Sequence, residues 1–177
     1  MKKEHWINDP AEGGGAIIGE DCHFFDFCNW IVGRDPMQIY AEKISSNDES
    51  IVDANNVIST IRYEDGSVAS VIYTTIGNGS YSKERIEIFV DSGVIAIEDF
   101  KELVVIGLDG KSEKLKRIEK GQFELINEYG KLLKGASIST DLPSVEDGVK
   151  ATLCSLKVHD ALKTGEVQKW VKRSCRI

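Results

Sequence analysis

Three turn signals punctuate the middle of the sequence at short intervals: Asp65-Gly66, Asp91-Ser92-Gly93 and Asp109-Gly110. Short runs rich in β-branched residues flank each one, and such turns accept the positive φ that a tight hairpin demands. Val57 to Tyr63 and Ser67 to Thr75 form the first hairpin, and Arg85 to Val90 and Val94 to Ile97 the second. Glu102 to Leu108 and Lys114 to Ile118 form the third, and Met37 to Ile44 adds a weaker seventh strand. Turns this short join antiparallel neighbours. The sheet is therefore open and mainly antiparallel or mixed.

A two-residue Asp65-Gly66 turn sets a register in which Tyr63 faces Val68. Val57, Ile61, Val68 and Ile72 then share one face, and Ile58, Ala69, Val71 and Tyr73 the other. Both faces are partly apolar. Helices cover one, and the other is expected to meet a partner or a second domain.

The helical segments lie outside the hairpins. From Gly13 to Gly33, the residues Ile18, Cys22, Phe25 and Ile31 trace a buried face that Phe27 and Trp30 widen, with Gly33 as the stop. Phe123, Ile126, Tyr129 and Leu133 mark a second helix between Gly121 and Lys134. Ser144-Val145-Glu146-Asp147 reads as a capped start for a third. There Val145, Val149, Leu153 and Leu156 step along one face until Gly165. The order of helix, strands and helices defines an α+β fold, an open sheet with helices packed on one face.

At 177 residues the chain fits a single domain over 1–177. Its 29 acidic residues against 22 basic ones disfavour nucleic-acid binding, and its apolar runs are too short for a membrane span. Cys22, Cys28, Cys154 and Cys175 show no CxxC or zinc-ligand spacing, so buried reduced thiols and a cytoplasmic location are expected. No metal site is expected.

Among three histidines, His159 reads as a surface residue and His5 has no role that spacing assigns. His23 differs, because Glu20 at i−3 and Asp26 at i+3 are its neighbours on a helix and could orient the imidazole for proton transfer. On spacing alone, a structural hydrogen bond is the plainer reading. Gly13-Gly14-Gly15 fits a tight turn of close backbone approach better than a phosphate-cradling loop, since it matches neither GxGxxG nor a Walker pattern.

The stretch Asp9-Pro10-Ala11-Glu12-Gly13-Gly14-Gly15-Ala16-Ile17-Ile18-Gly19-Glu20-Asp21-Cys22-His23-Phe24-Phe25-Asp26 resembles the opening of the C-terminal domain of the Gfo/Idh/MocA oxidoreductases, which include glucose–fructose oxidoreductase and inositol dehydrogenase. That signature is a triple glycine, a histidine eight residues after it and an aspartate three further on. Ile61-Arg62-Tyr63-Glu64-Asp65-Gly66 and Asp91-Ser92-Gly93 are similar to the family's hairpins. The wording around Trp6 and Ile18-Gly19-Glu20 most resembles members of surface-polysaccharide or nucleotide-sugar metabolism.

The resemblance implies a substrate-binding and oligomerisation domain of an NAD(P)-dependent dehydrogenase. In such an enzyme His23 moves a proton, and Glu20, Asp26 and Gly15 line a sugar-type substrate pocket. It also implies homo-oligomers through the open sheet face. Two departures qualify it. Gly19 stands where many members carry an aspartate, a place Glu20 could take. GxGxxG and the family's Glu-Lys-Pro are absent, so NAD or NADP is expected only in a full-length parent and not on this chain alone. The sequence thus reads as a fragment or natural truncation, inactive without its Rossmann half. A non-catalytic assembly module and a stand-alone small-molecule binder are the alternatives.

Overall fold

The computed structural model describes residues 3–9, 11–138 and 142–170. The chain divides into two compact units, residues 1–76 with 143–177, and residues 77–142. Each unit holds one open, four-stranded antiparallel sheet. With three α-helices among the described residues, the fold is α+β.

In the first unit the strand order is β3-β2-β1-β8, formed by β1 (Pro36–Lys43), β2 (Val57–Tyr63), β3 (Val68–Tyr73) and β8 (Gln168–Lys169). The strand β8 is too short to carry a periodic signal and was not expected. It pairs with β1 through Ile39↔Gln168 and Gln38↔Lys169. Helices α1 (Cys22–Val32) and α3 (Val145–Thr164) pack against each other, and α3 also packs on β1. The core joins Ile17, Phe25, Ile39, Ile61, Tyr63, Cys154 and Val158.

The first hairpin slips by one residue from the expected register. Tyr63 N–H donates to Ser67 O at 2.9 Å, Gly66 has φ 88°, and Arg62 faces Val68. The loop is therefore Glu64-Asp65-Gly66, with the left-handed residue third. A one-residue slip moves every side chain of β3 to the opposite face. Ala69, Val71 and Tyr73 turn inward with Val57 and Ile61, while Val68 and Ile72 join Ile58 on the exposed face.

Two helix faces are also corrected. A π-helical turn, Ile17–Asp21, runs directly into α1, and the buried positions are Ile17, Asp21 and Phe25. Ile18 and Cys22 are half-buried, and Ile31 and Trp30 are exposed. Ile17 and Ile18 are equally apolar, so composition could not choose between stripes one residue apart. On α3 the buried face is Ala151, Cys154, Ser155, Val158 and Ala161. These small residues let the helix backbone come close to its neighbours. The bulkier Val145, Val149, Leu153 and Leu156 are exposed. The start of α3 is as expected: Ser144 and Asp147 form a reciprocal capping box.

In the second unit β4 (Arg85–Val90), β5 (Gly93–Glu98), β6 (Glu102–Ile106) and β7 (Glu113–Lys114) lie in sequence order. Val90 faces Gly93 across Asp91 and Ser92, whose φ values of 48° and 63° make this a two-residue hairpin. Helix α2 (Gln122–Leu133) forms where the periodicity placed it, with Phe123, Ile126 and Leu133 exposed. The buried Glu84 accepts from Lys120 Nζ at 2.6 Å, and that ammonium also lies over the Phe100 ring. Among the described residues, no helix is long and apolar enough to cross a membrane.

Candidate functional site

The segment before α1 is a folded loop built on its own backbone. Gly13 and Gly14 N–H both donate to Asp9 O, and Gly15 N–H donates to Ile7 O at 2.7 Å. Positive φ at Gly14 and Gly15 makes this path possible. Asn55 Nδ2 donates to Asn8 Oδ1, which ties the loop to the chain before β2. A Cβ on Gly19 would fall 2.7 Å from Ile7 Cδ1, so the π turn also sits directly on the loop. The triple glycine is thus a turn of close backbone approach. Its amides are spent on Asp9 and Ile7, and the run does not follow a strand. These residues do not fit a dinucleotide pyrophosphate, which needs free amides at a strand-to-helix turn.

His23 lies at the start of α1 and is exposed, as is Glu20, while Asp26 is half-buried. Burial raises the Asp26 carboxyl first and the Asp147 charge adds to this, while His23 acts in the opposite direction. Asp26 and His23 therefore interact electrostatically, but among the described residues no hydrogen bond joins His23 to Asp26 or Glu20. Gly15 lies against α3, with the site of its missing Cβ 3.7 Å from His159 Cε1.

His159 is not the surface residue expected. Its Nε2 is shielded from solvent without a partner among the described residues, and burial lowers its pKa.

Two further groups at this end escaped the sequence reading. Asp21 is buried on the core side of the turn, and burial pushes its carboxyl up to about 7. Tyr73, at the end of β3, has its pKa raised by burial and then by Glu20 and Asp21, which puts its phenol near both carboxyls. The chain beyond it is clamped by the buried Asn56, whose Oδ1 accepts from Thr74 Oγ1 and Thr75 N at 2.9 Å each. The apolar i−4 and i+4 neighbours of Asp21, Ile17 and Phe25, were the available signal.

Cys22, Cys28 and Cys154 are free thiols, and burial pushes Cys28 to about 11 and Cys154 to about 12, well away from the thiolate. Cys175 lies outside the described residues. No cluster of three or more metal-ligating side chains occurs among the described residues.

The helix, turn and sheet define the class. The model of the GFO/IDH/MocA C-terminal domain matches residues 1–96, and the chain belongs to that family. Among solved structures it is similar to levoglucosan dehydrogenase in complex with NADH and levoglucosan. There the identity is 20%, the TM-score 0.73, and the match covers 95% of this chain and 53% of the other. It also resembles an aldose-aldose oxidoreductase from Caulobacter crescentus complexed with glycerol (15% identity, TM-score 0.72, 95% and 51% covered). A third is UDP-N-acetylglucosamine 3-dehydrogenase from Acidithiobacillus ferrooxidans (14% identity, TM-score 0.65, 84% and 47% covered). At these identities the likeness is one of fold. The chain spans about half the length of these structures. No curated protein sequence matches it.

Proposed function

We propose that this chain is the substrate-binding and oligomerisation domain of an NAD(P)-dependent sugar or nucleotide-sugar oxidoreductase, inactive without a nucleotide-binding half. The observation that carries this reading is the exposed imidazole of His23, set at the start of α1 directly after the π turn and flanked by Glu20 and Asp26. In this reading His23 takes a proton from a sugar hydroxyl, with Asp26 one turn along the helix beside it. Glu20 and the Tyr73 phenol supply hydrogen bonds to neighbouring hydroxyls. The dinucleotide is held elsewhere, because the glycine turn has no amides to offer it.

Self-association rests on the exposed face of the first sheet. Ile58 and Ile72 face each other across β2 and β3 at 54% and 72% exposure, beside Val68. Such an apolar stripe on a sheet face suits a second copy.

The test is a titration of the ¹⁵N-labelled chain with levoglucosan, myo-inositol, UDP-N-acetylglucosamine, NAD and NADP. Sugar-induced shifts at residues 19–26, with none from either dinucleotide, are expected. Micromolar dinucleotide binding, or silence at His23 with every sugar, overturns the proposal.

A further inference from the structure

Asp21 is a carboxylate that solvent does not reach. It is 1% exposed, and neither oxygen has a hydrogen-bond partner among the described residues. The side chains one turn before and after it, Ile17 and Phe25, are fully buried. Its titratable neighbours are Glu20 on its own turn, the exposed His23 and the Cys22 and Cys28 thiols of α1, and the Tyr73 phenol of β3, and among the described residues none of them is hydrogen-bonded to it. From α3, which packs on the turn, His159 lies beside Gly15, where burial favours its neutral form. An isolated carboxylate in such a place is costly unless it is protonated or reaches water.

The backbone around Asp21 is the least regular part of the helix. Residues Ile17–Asp21 form a π turn, a single-turn excursion that occurs mostly inside α-helices and often at functional sites.

We propose that Asp21 is a pH-sensitive latch: protonated, it lets the π turn close on the core, and ionised, it draws the turn open toward water. Because the turn leads directly into His23, the same opening shifts the start of α1. The inference holds whatever the substrate of the site.

The sign follows from linkage. In the open turn the carboxyl has its ordinary pKa near 4, and in the closed turn burial holds it at about 7. The closed form therefore keeps its proton over that window, and opening rises about tenfold per pH unit between about 4 and 7, then levels off.

The test is amide hydrogen exchange of the full chain at residues 17–23, corrected for intrinsic pH dependence, from about pH 4 to 8. The expected result is protection that falls about tenfold per unit up to about pH 7 and is then flat. In Asp21→Asn that fall is lost. Parallel profiles in the two proteins, or a flat wild-type profile, overturn the latch. An independent readout needs no variant: the Asp21 carboxyl carbon, followed by ¹³C NMR, should titrate near 7. A midpoint in the usual carboxylate range near 4 overturns the proposal.

Discussion

Gly13 lies so close to Ile7 that a Cβ built on it would fall 2.3 Å from the Ile7 Cα and 2.6 Å from its carbonyl oxygen. The obstacle is backbone, which has little room to give. Gly13→Ala is therefore expected to destabilise the chain by about 1–3 kcal/mol in urea denaturation. Gly130→Ala, mid-helix with nothing within 4 Å of the added carbon, is expected to gain about 0.5–1 kcal/mol. Equal effects at the two positions would show that the Gly13 contact does not constrain the loop.

The capping box at α3 gives a second expectation. Ser144 Oγ accepts from Asp147 N–H, while Ser144 N–H and Oγ–H donate to Asp147 Oδ2 at 2.8 and 2.7 Å. Ser144→Ala should cost about 1 kcal/mol. The Ser144 hydrogen bonds hold the Asp147 carboxyl below its usual range. Their contribution is thus present at neutral pH and is lost as pH falls through that lowered value. Ser144→Ala removes only the hydroxyl's share of that pH-dependent part. Thermal melts of the two proteins down a pH series should therefore draw closer in acid but stay apart by the Asp147 N–H to Ser144 Oγ bond, which needs no carboxylate.

Tyr63 is fully buried, and its hydroxyl donates to Asn29 Oδ1 at 3.0 Å, while Asn29 Nδ2 points to Cys154 Sγ. Tyr63→Phe keeps the packing and removes one donor. A loss of about 1 kcal/mol is expected, read from the shift in denaturation midpoint at unchanged slope.

On the open sheet face, Ile58→Lys combined with Ile72→Thr tests the proposed self-association: it should lower the mass of any oligomer without lowering the stability of the monomer, since both side chains are largely exposed. Sedimentation velocity across a concentration series measures this. An unchanged oligomer mass would move the interface elsewhere.

The elements were legible in the sequence wherever a local signal acts alone. The Ser144 cap, the glycine stops at Gly33 and Gly165, and the Asp91-Ser92 turn each fix a boundary through their own backbone chemistry. Faces were less legible. On α3 the larger Val145, Val149, Leu153 and Leu156 outweigh the small residues in any hydrophobic count, yet close packing selects Ala151, Cys154 and Ala161. At the first hairpin, Asp65-Gly66 fits both a two- and a three-residue loop, and only the Tyr63–Ser67 hydrogen bond separates them. At the site, His23, Glu20 and Asp26 were visible through spacing. Asp21 was hidden because a carboxylate on a buried stripe runs against the pattern that defines the stripe.

The first unit is assembled from both ends of the sequence, residues 1–76 and 143–177. During synthesis, α1 and the β1–β3 ladder leave the ribosome long before α3, and all of residues 77–142 must follow first. Until then the pocket later filled by Cys154, Val158 and Ala161 lies bare, with Phe25, Ile39 and Ile61 among its walls. The nascent chain therefore passes through a stage at which this apolar surface is complete but uncovered, and that interval is when a chaperone has most to hold.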